Sequence, residues 1–397
     1  MADSNKTKLS YAPEVTFNVD PTASATWAEI RMKSESFKAD LSVASSDEIR
    51  SYRDIPALNL TDRAVSGGID CNLSYDSHED FLASALGAST TWSSQTSLAT
   101  TGGGAITTDG ATKKYTHASG WANNPAVGQW VYLAGFAQSA SNGWKKVATV
   151  PTPNTIFTVE EAIGTTETLA TGSVLPSFNL SQIVNADALN SWIFQRQYTD
   201  LTDKCARYSG CVVNGFSIDA SANDTIGVNF DIVGALEVSS ATVYAVDGGS
   251  EANNNTEMTS QDHVQEIREN GVAYSSTSFS LSVSNNLRSQ YKLGTLGADA
   301  MKLGDLEVSG TVQAYFTDST AFDKFLNQTQ TSLSLIVSDE TTGRGNAYII
   351  DLPAVKFTDG TRVAGGRNQD IIADLSFTAF RDSTEGITIR IAKTASA

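Results

Sequence analysis

The chain predicts an all-β fold with minor short helices, and three observations carry that. Apolar residues alternate with polar ones in many short runs, the period of strands that bury one face. Helix signals are few and short. Gly- and Asn-rich turns separate the runs.

The elements follow in chain order. Phe37, Ala39, Leu41 and Val43 alternate with polar neighbours, and so do Val65, Gly67, Ile69, Cys71, Leu73 and Tyr75. A short helix comes next. Ser77 precedes Asp80 at capping-box spacing, Phe81, Leu82, Ala85 and Leu86 make one apolar face, and Gly87 ends it. Further alternations are Ile226, Val228, Phe230 and Ile232; then Phe279, Leu281 and Val283; then Leu306, Val308, Gly310, Val312, Ala314 and Phe316. A second short helix is expected over residues 320–327, capped by Asp318 or Ser319, with Phe322, Phe325 and Leu326 as its face. Ile371, Ala373, Leu375 and Phe377 form the last run. Strands wet on one side belong to antiparallel sheets. Pro353, inside an apolar stretch, predicts a strand edge or a bulge.

Composition narrows the function. The 397 residues hold 27 Lys+Arg against 44 Asp+Glu, a formal charge of −17, yet only 18% are charged and 40% are hydrophobic. A disordered acidic tail is excluded. A free nucleic-acid binder would carry the opposite sign. Cys71, Cys205 and Cys211 lack metal-ligand spacing and do not form a disulfide framework, which fits a reducing cytoplasm. No apolar signal core opens the chain, and no stretch is long enough to span a membrane. The Asn59 and Asn179 sequons are the chance yield of an Asn/Ser/Thr-rich chain.

The sequence also repeats itself. Val65-Ser66-Gly67 opens a strand that leads to the Phe81-Leu82 helix, and Val308-Ser309-Gly310 opens one that leads to the Phe325-Leu326 helix. Upstream, Ser36-Phe37 and Leu41-Ser42-Val43 parallel Ser278-Phe279 and Leu281-Ser282-Val283. Downstream, Asn223-Asp224 into Ile226 parallels Gln369-Asp370 into Ile372. Matches in the same order mark a duplicated domain. The expected division is an N-terminal arm over 1–20, a first domain over 21–97 and 181–246, an inserted small β-domain over 98–180, a linker over 247–270 and a second domain over 271–397.

These residues resemble siphophage major tail tube proteins. The likeness runs through Trp27-Ala28-Glu29-Ile30, V-S-G-G-I-D-C-N-L-S-Y and the first helix. It continues in S-F-S-L-S-V-S-N-N-L-R, L-E-V-S-G-T-V-Q-A-Y-F and N-Q-D-I-I-A-D-L-S-F-T-A-F. The insertion is similar to small SH3-like modules of phage structural proteins. The resemblance implies two tandem β-barrel or sandwich domains, polymerised as stacked rings around a lumen that passes DNA without binding it. Six tube domains close a ring in single-domain members, so a duplicated chain implies a homotrimeric, pseudo-hexameric ring. The implied partners are further copies, a tape measure protein, and tail terminator and distal tail proteins. The place is the virion tail, after synthesis in the host cytoplasm, with no membrane. No cofactor, metal or catalytic residue is implied.

Two residue sets follow from that resemblance. Long loops after the first strand of each domain, with Arg50, Arg53 and Asp54 in one and Arg288 and Lys292 in the other, are candidate inter-ring contacts, as is Phe17. Asp40, Asp70, Asp219, Asp231 and Asp374 on polar strand faces are candidate lumen acids that repel phosphate. Other chemistry is weaker. His78 beside Glu79 and Asp80 reads as a solvated helix terminus rather than a metal or catalytic pair. Gly102-Gly103-Gly104 lacks the Lys-Ser/Thr of a phosphate loop. Trp130 and Trp144 read as core rather than as a sugar platform. The alternative function is a virion-surface or secreted carbohydrate-binding β-protein.

Overall fold

Antiparallel strands of both halves of the chain enclose one large apolar core. The structure, a computed structural model, describes residues 3–21, 25–95, 104–123, 125–169, 180–202, 204–240, 242–244, 252–316, 319–340, 345–362, 367 and 370–394. The alternations set the strand faces. Val65, Ile69 and Cys71 of Leu58–Asn72, Val228, Phe230 and Ile232 of Gly227–Gly234, and Leu375 and Phe377 of Ile372–Ala379 are buried in one continuous core. Each fully buried Phe or Ile contributes about 1.5–3 kcal/mol relative to exposure.

One pairing order occurs twice. In the first half, Lys38–Ser45 pairs with Leu58–Asn72, then Gly227–Gly234, Cys205–Ser221, Trp192–Tyr198 and Thr7–Pro13 follow edge to edge. In the second half the order is Ser276–Ser284, Glu307–Tyr315, Ile372–Ala379, Ala347–Arg362, Thr331–Ser338 and Val264–Glu269. Leu236–Ser240 pairs on the early part of Cys205–Ser221, as Arg390–Thr394 does on Ala347–Arg362. A register shift falls between Val213 and Gly215 in one copy and between Phe357 and Asp359 in the other. One helix, Glu79–Ala85, packs on the first copy's long strand, and Thr320–Leu326 packs on the second's.

The glycine of each V-S-G motif has a steric reason. A Cβ on Gly67 would lie 2.7 Å from the Phe37 Cα, and one on Gly310 would lie 2.1 Å from the Ser280 carbonyl oxygen. The neighbouring strand backbone leaves no room for a side chain. The register also shifts the upstream parallel, by two residues at Phe37 and by four at Leu41, which corresponds to Asn285. Val65 lies opposite Ala39 and Val308 opposite Val283, so Phe37 corresponds to Leu281 rather than to Phe279.

The structure departs from the expected segments at several points. Thr7–Pro13 lies within the 1–20 arm, yet it pairs along the whole of Trp192–Tyr198. Val264–Glu269 lies within the expected linker but is a strand paired to Thr331–Ser338. Its charges hid it, because Arg268 and Glu269 are buried with ion-pair partners Glu161 and Lys324. The described part of the linker is strapped to the first copy. Met258 is fully buried, Arg31 pairs with Glu257 at 3.0 Å, and the Asn253 amide donates to the Asp76 carbonyl. His78, not Ser77, is the N-cap of the first helix, with no side-chain cap bond. Pro353 meets its expectation. The register shift between Thr331 and Leu333 falls opposite Leu352 and Val355, which puts Pro353 in a bulge.

In sequence between the two parts of the first copy comes a six-stranded sheet built from Ile106–Asp109, Lys114–His117, Trp130–Leu133, Gly143–Thr152, Ile156–Val159 and Thr168–Leu169. Its own core holds Tyr115, Trp121, Leu133, Val147 and Phe157. The chain leaves it through Leu180–Val184, which pairs with Arg390–Thr394 of the second copy. Of the Gly102–Gly104 run, the first two residues lie outside the described residues.

Candidate functional site

The five expected acids share one surface. The inner strands of both copies form a continuous sheet, because Gly215–Ser221 of the first copy pairs with Ser278–Ser284 of the second. Its order is Lys38–Ser45, Leu58–Asn72, Gly227–Gly234, Cys205–Ser221, Ser276–Ser284, Glu307–Tyr315, Ile372–Ala379 and Ala347–Arg362. Residues directly opposite in an antiparallel pair point to the same side. Asp40 lies opposite Ala64, Asp70 opposite Asn229, Asp231 opposite Gly68, Asp219 opposite Ser280 and Asp374 opposite Gln313. All five therefore face away from the core. Ser66, Ser217, Ser280, Ser282, Ser309 and Thr311 fill the same face between them. Glu307 and Asp359 join it, though neither was foreseen.

These acids are not equivalent. Asp40 pairs with Lys38 at 3.1 Å and accepts from the Ser66 hydroxyl, and that hydrogen bond holds its carboxyl below the usual range. Asp70 lies 3.7 Å from Lys33. Asp231 accepts from the Asn214 amide at 2.7 Å, and Asp374 from the Gln313 amide at 3.2 Å. Asp219 is exposed. The face is hydroxyl-rich and carries its negative charge mainly towards its middle and the second copy.

Both long loops emerge at one end of this sheet. Residues 46–57 follow Lys38–Ser45, and residues 285–306 follow Ser276–Ser284, a strand antiparallel to Gly215–Ser221. Arg50, which pairs with Glu48, is exposed in the first loop, as are Arg53 and Asp54. Arg288 and Lys292 are exposed in the second, and Arg288 donates to the Leu303 carbonyl at 3.3 Å. Phe17 is elsewhere. It packs half-buried with Val212, Ala235, Ala298 and Met301, where the stem of the second loop seats on the first copy. The apolar residues of the loops were missed. Ile49 is fully exposed, Tyr52, Ile55 and Tyr291 are more than half exposed, and Leu293 is bare.

The insertion is clamped to the second copy. Trp130 and Trp144 are buried against Ile336, Ala347, Ile349 and Ala392, which removes them as an open sugar platform. Beside them lies a buried charge cluster. The Lys146 ammonium lies 3.2 Å from Asp351, 2.9 Å from Glu385 and 3.4 Å from Glu160, and Arg390 bridges Asp351 and Glu385. Burial opposes the Lys146 charge, but the three carboxylates outweigh it and hold the amine protonated.

The sequence's chemical alternatives fall differently. His78 is buried rather than solvated. Its Nε2 lies 3.1 Å from the Arg31 carbonyl, its ring lies against Phe230, and burial lowers its pKa. All three cysteines are free and buried, and burial pushes the Cys71 thiol up to about 12. Among the described residues, no three His, Cys, Asp or Glu side chains are grouped to hold a metal, and no helix is long and apolar enough to cross a membrane.

An all-β chain that joins its own repeats edge to edge and displays one long polar face defines a self-assembling structural protein. A family model for phage tail tube proteins matches residues 4–379, nearly the whole chain, and the chain belongs to that family. Membership implies self-assembly into the tube of a phage tail. A search among curated proteins returned no match.

Proposed function

We propose that three chains close a ring of six tube domains, and that rings stack head to tail into a tube that conducts DNA. Each chain supplies two tube domains, residues 98–180 an accessory domain fixed to the second. The observation that carries this reading is the internal joint, where Gly215–Ser221 pairs with Ser278–Ser284. It is a domain-to-domain contact already made in one chain. The ends of the same sheet, Lys38–Ser45 and residues 356–362 of Ala347–Arg362, have no further strand beside them among the described residues. Two different free edges on one chain make a heterologous contact, which closes into a ring when the rotation fits. Pairing them also removes two exposed edges that invite aggregation.

The face with Asp40, Asp70, Asp219, Asp231 and Asp374 lines the lumen. Hydroxyls and carboxylates dominate there, and Lys38 and Lys33 stand paired with Asp40 and Asp70, so phosphate meets little counterion-release gain. The exposed loop residues Arg50, Arg53, Asp54, Arg288 and Lys292 point to the next ring, while Phe17 supports the loop seat. A tape measure protein fills the tube before DNA, terminator and distal tail proteins close its ends, and assembly occurs in the host cytoplasm. Native mass spectrometry of assembled rings tests the stoichiometry. Three chains per ring are expected, and six chains per ring overturn the reading.

A further inference from the structure

The alternation Phe37, Ala39, Leu41 and Val43 has no cover beyond Phe37. Leu41 is 59% exposed and Val43 55%, and across the hairpin Leu58 is 70% and Leu60 39% exposed. The matching places of the second copy are covered: with Val283 standing where Ala39 stands, Asn285 matches Leu41 and is buried, and Leu287 matches Val43 and packs half-buried against Val212 and Ala235. The difference is the internal joint, which gives Ser276–Ser284 a neighbour that Lys38–Ser45 lacks.

The repeat fixes the missing contact residue by residue. Ile69 and Val312 hold the same place after V-S-G. Phe230 lies opposite Ile69 and Phe216, and Leu375 lies opposite Val312 and Gly360. Gly360 therefore corresponds to Phe216, and Thr361 to Ser217. On the other edge, Val283 faces Val308 and Ala39 faces Val65, so Lys38 corresponds to Ser282. Ser217 faces Ser282 across the internal joint.

We infer that the edge at residues 359–362 pairs with residues 37–40 of a second copy of this chain, Thr361 opposite Lys38 and Gly360 opposite Ala39. The 41–60 arm of that second copy then lies on a seat formed by Lys356 and Phe380. This inference rests on the ring reading and names its interface.

The seat follows from the same correspondence. In the internal joint, the second copy's loop buries Ala298 and Met301 against Val212 and Ala235. Ala235 follows Gly234, which faces Val65, and Phe380 follows Ala379, which faces Val308. Phe380 thus stands where Ala235 stands, and Lys356 where Val212 does. Phe380 is 36% exposed with the Lys356 ammonium 6.0 Å from its ring, an apolar patch of the right place for Leu41, Val43, Leu58 and Leu60. The arm is thereby held within its own ring, and only the tip at 46–57 reaches the next one.

Backbone bonds give the pair geometry. The Ala222 N–H donates to the Thr277 carbonyl, and the Asn285 N–H to the Asn214 carbonyl, at the two ends of the joint. Even-numbered residues of the first strand are therefore the hydrogen-bonded pairs. Ser217 and Ser282 form a non-hydrogen-bonded pair, where Cα atoms approach to about 4.5 Å and a disulfide fits. Lys38 and Thr361 inherit that spacing.

The test oxidises assembled full-length protein carrying Lys38→Cys and Thr361→Cys, then resolves it on a denaturing gel without reductant. A reductant-sensitive three-chain product is expected. Ala39→Cys with Thr361→Cys, which puts the thiols on opposite faces, should give none. Rings that form without cross-linking the first pair, or that cross-link both pairs equally, overturn the inference and leave the ring reading standing. A wild-type chain that forms no rings at high concentration overturns the ring reading first. Phe380→Asp provides a second readout. The concentration needed for assembly should rise roughly tenfold or more, with the monomer's far-UV circular dichroism melt unchanged. Unchanged assembly would overturn the arm seat.

Discussion

Glu14 shows how one side chain ties the first strand to the joint. Its carboxylate accepts the Gly210 N–H at 2.8 Å and the Asn18 N–H at 3.0 Å, beside the seat of Phe17. Burial nevertheless pushes its pKa up to about 7, and the two N–H donors only partly oppose that. The folded chain then keeps a proton that the unfolded chain releases near its ordinary value. The stabilisation linked to that proton is complete below the unfolded pKa and is lost as pH rises through about 7. Glu14→Gln should therefore flatten the fall in urea midpoint between about pH 5 and pH 8. An unchanged slope in the variant would remove Glu14 as the source. The sequence holds no sign of the role of Glu14 and points to Phe17 only as an inter-ring contact. Glu14 and Phe17 sit in a stretch without alternation, and their role comes from Gly210 and Met301, which are distant in the chain. The shared face of the five aspartates was legible for the opposite reason. Period-2 spacing alone puts Asp70 and Asp231 on the side away from Ile69 and Phe230.

At the scale of elements, the strands with clean alternation and both helices emerged from pattern, because a half-buried strand repeats every two residues. Val264–Glu269 did not, since its buried positions include Arg268 and Glu269, and a buried charge reads as a loop until its partner is known. The seat of the insertion was hidden in the same way. Nothing in the sequence marks Lys145 and Lys146 as interior, yet both are buried. Lys146 joins the insertion to Asp351 and Glu385 on the second copy, so the insertion is fixed by charges as well as by Trp130 and Trp144. Removing one partner of a buried charge cluster strands the others, a loss of about 3–5 kcal/mol. Lys146→Ala should lower stability to denaturant by that order, with trypsin cutting first in the insertion. A stability within about 0.5 kcal/mol of the parent would mean that the apolar contacts alone hold the insertion.

For the whole molecule the question is how a net charge of −17 is used. Asp40 and Asp70 stand within reach of Lys38 and Lys33, which blunts their pull on the wider field. Among the described residues, Asp219, Asp231 and Asp374 have no such cation within ion-pair distance, and they bracket the joint between the copies. They are the acids expected to set the lumen potential. Replacing all three with Lys changes the charge by two at each position without touching the core face of the sheet. Surface changes of this kind leave stability nearly as it was, so tubes should still form. DNA should now bind the wall, because each lysine that meets a phosphate releases counterions. Ejection from phage carrying these tubes should slow at low salt and recover as salt is raised, since that attraction weakens steeply with ionic strength. Salt rescue separates wall charge from a damaged tube, which added salt would not repair. Ejection at the parental rate in low salt would mean that the conducting face is not the one that carries these three aspartates.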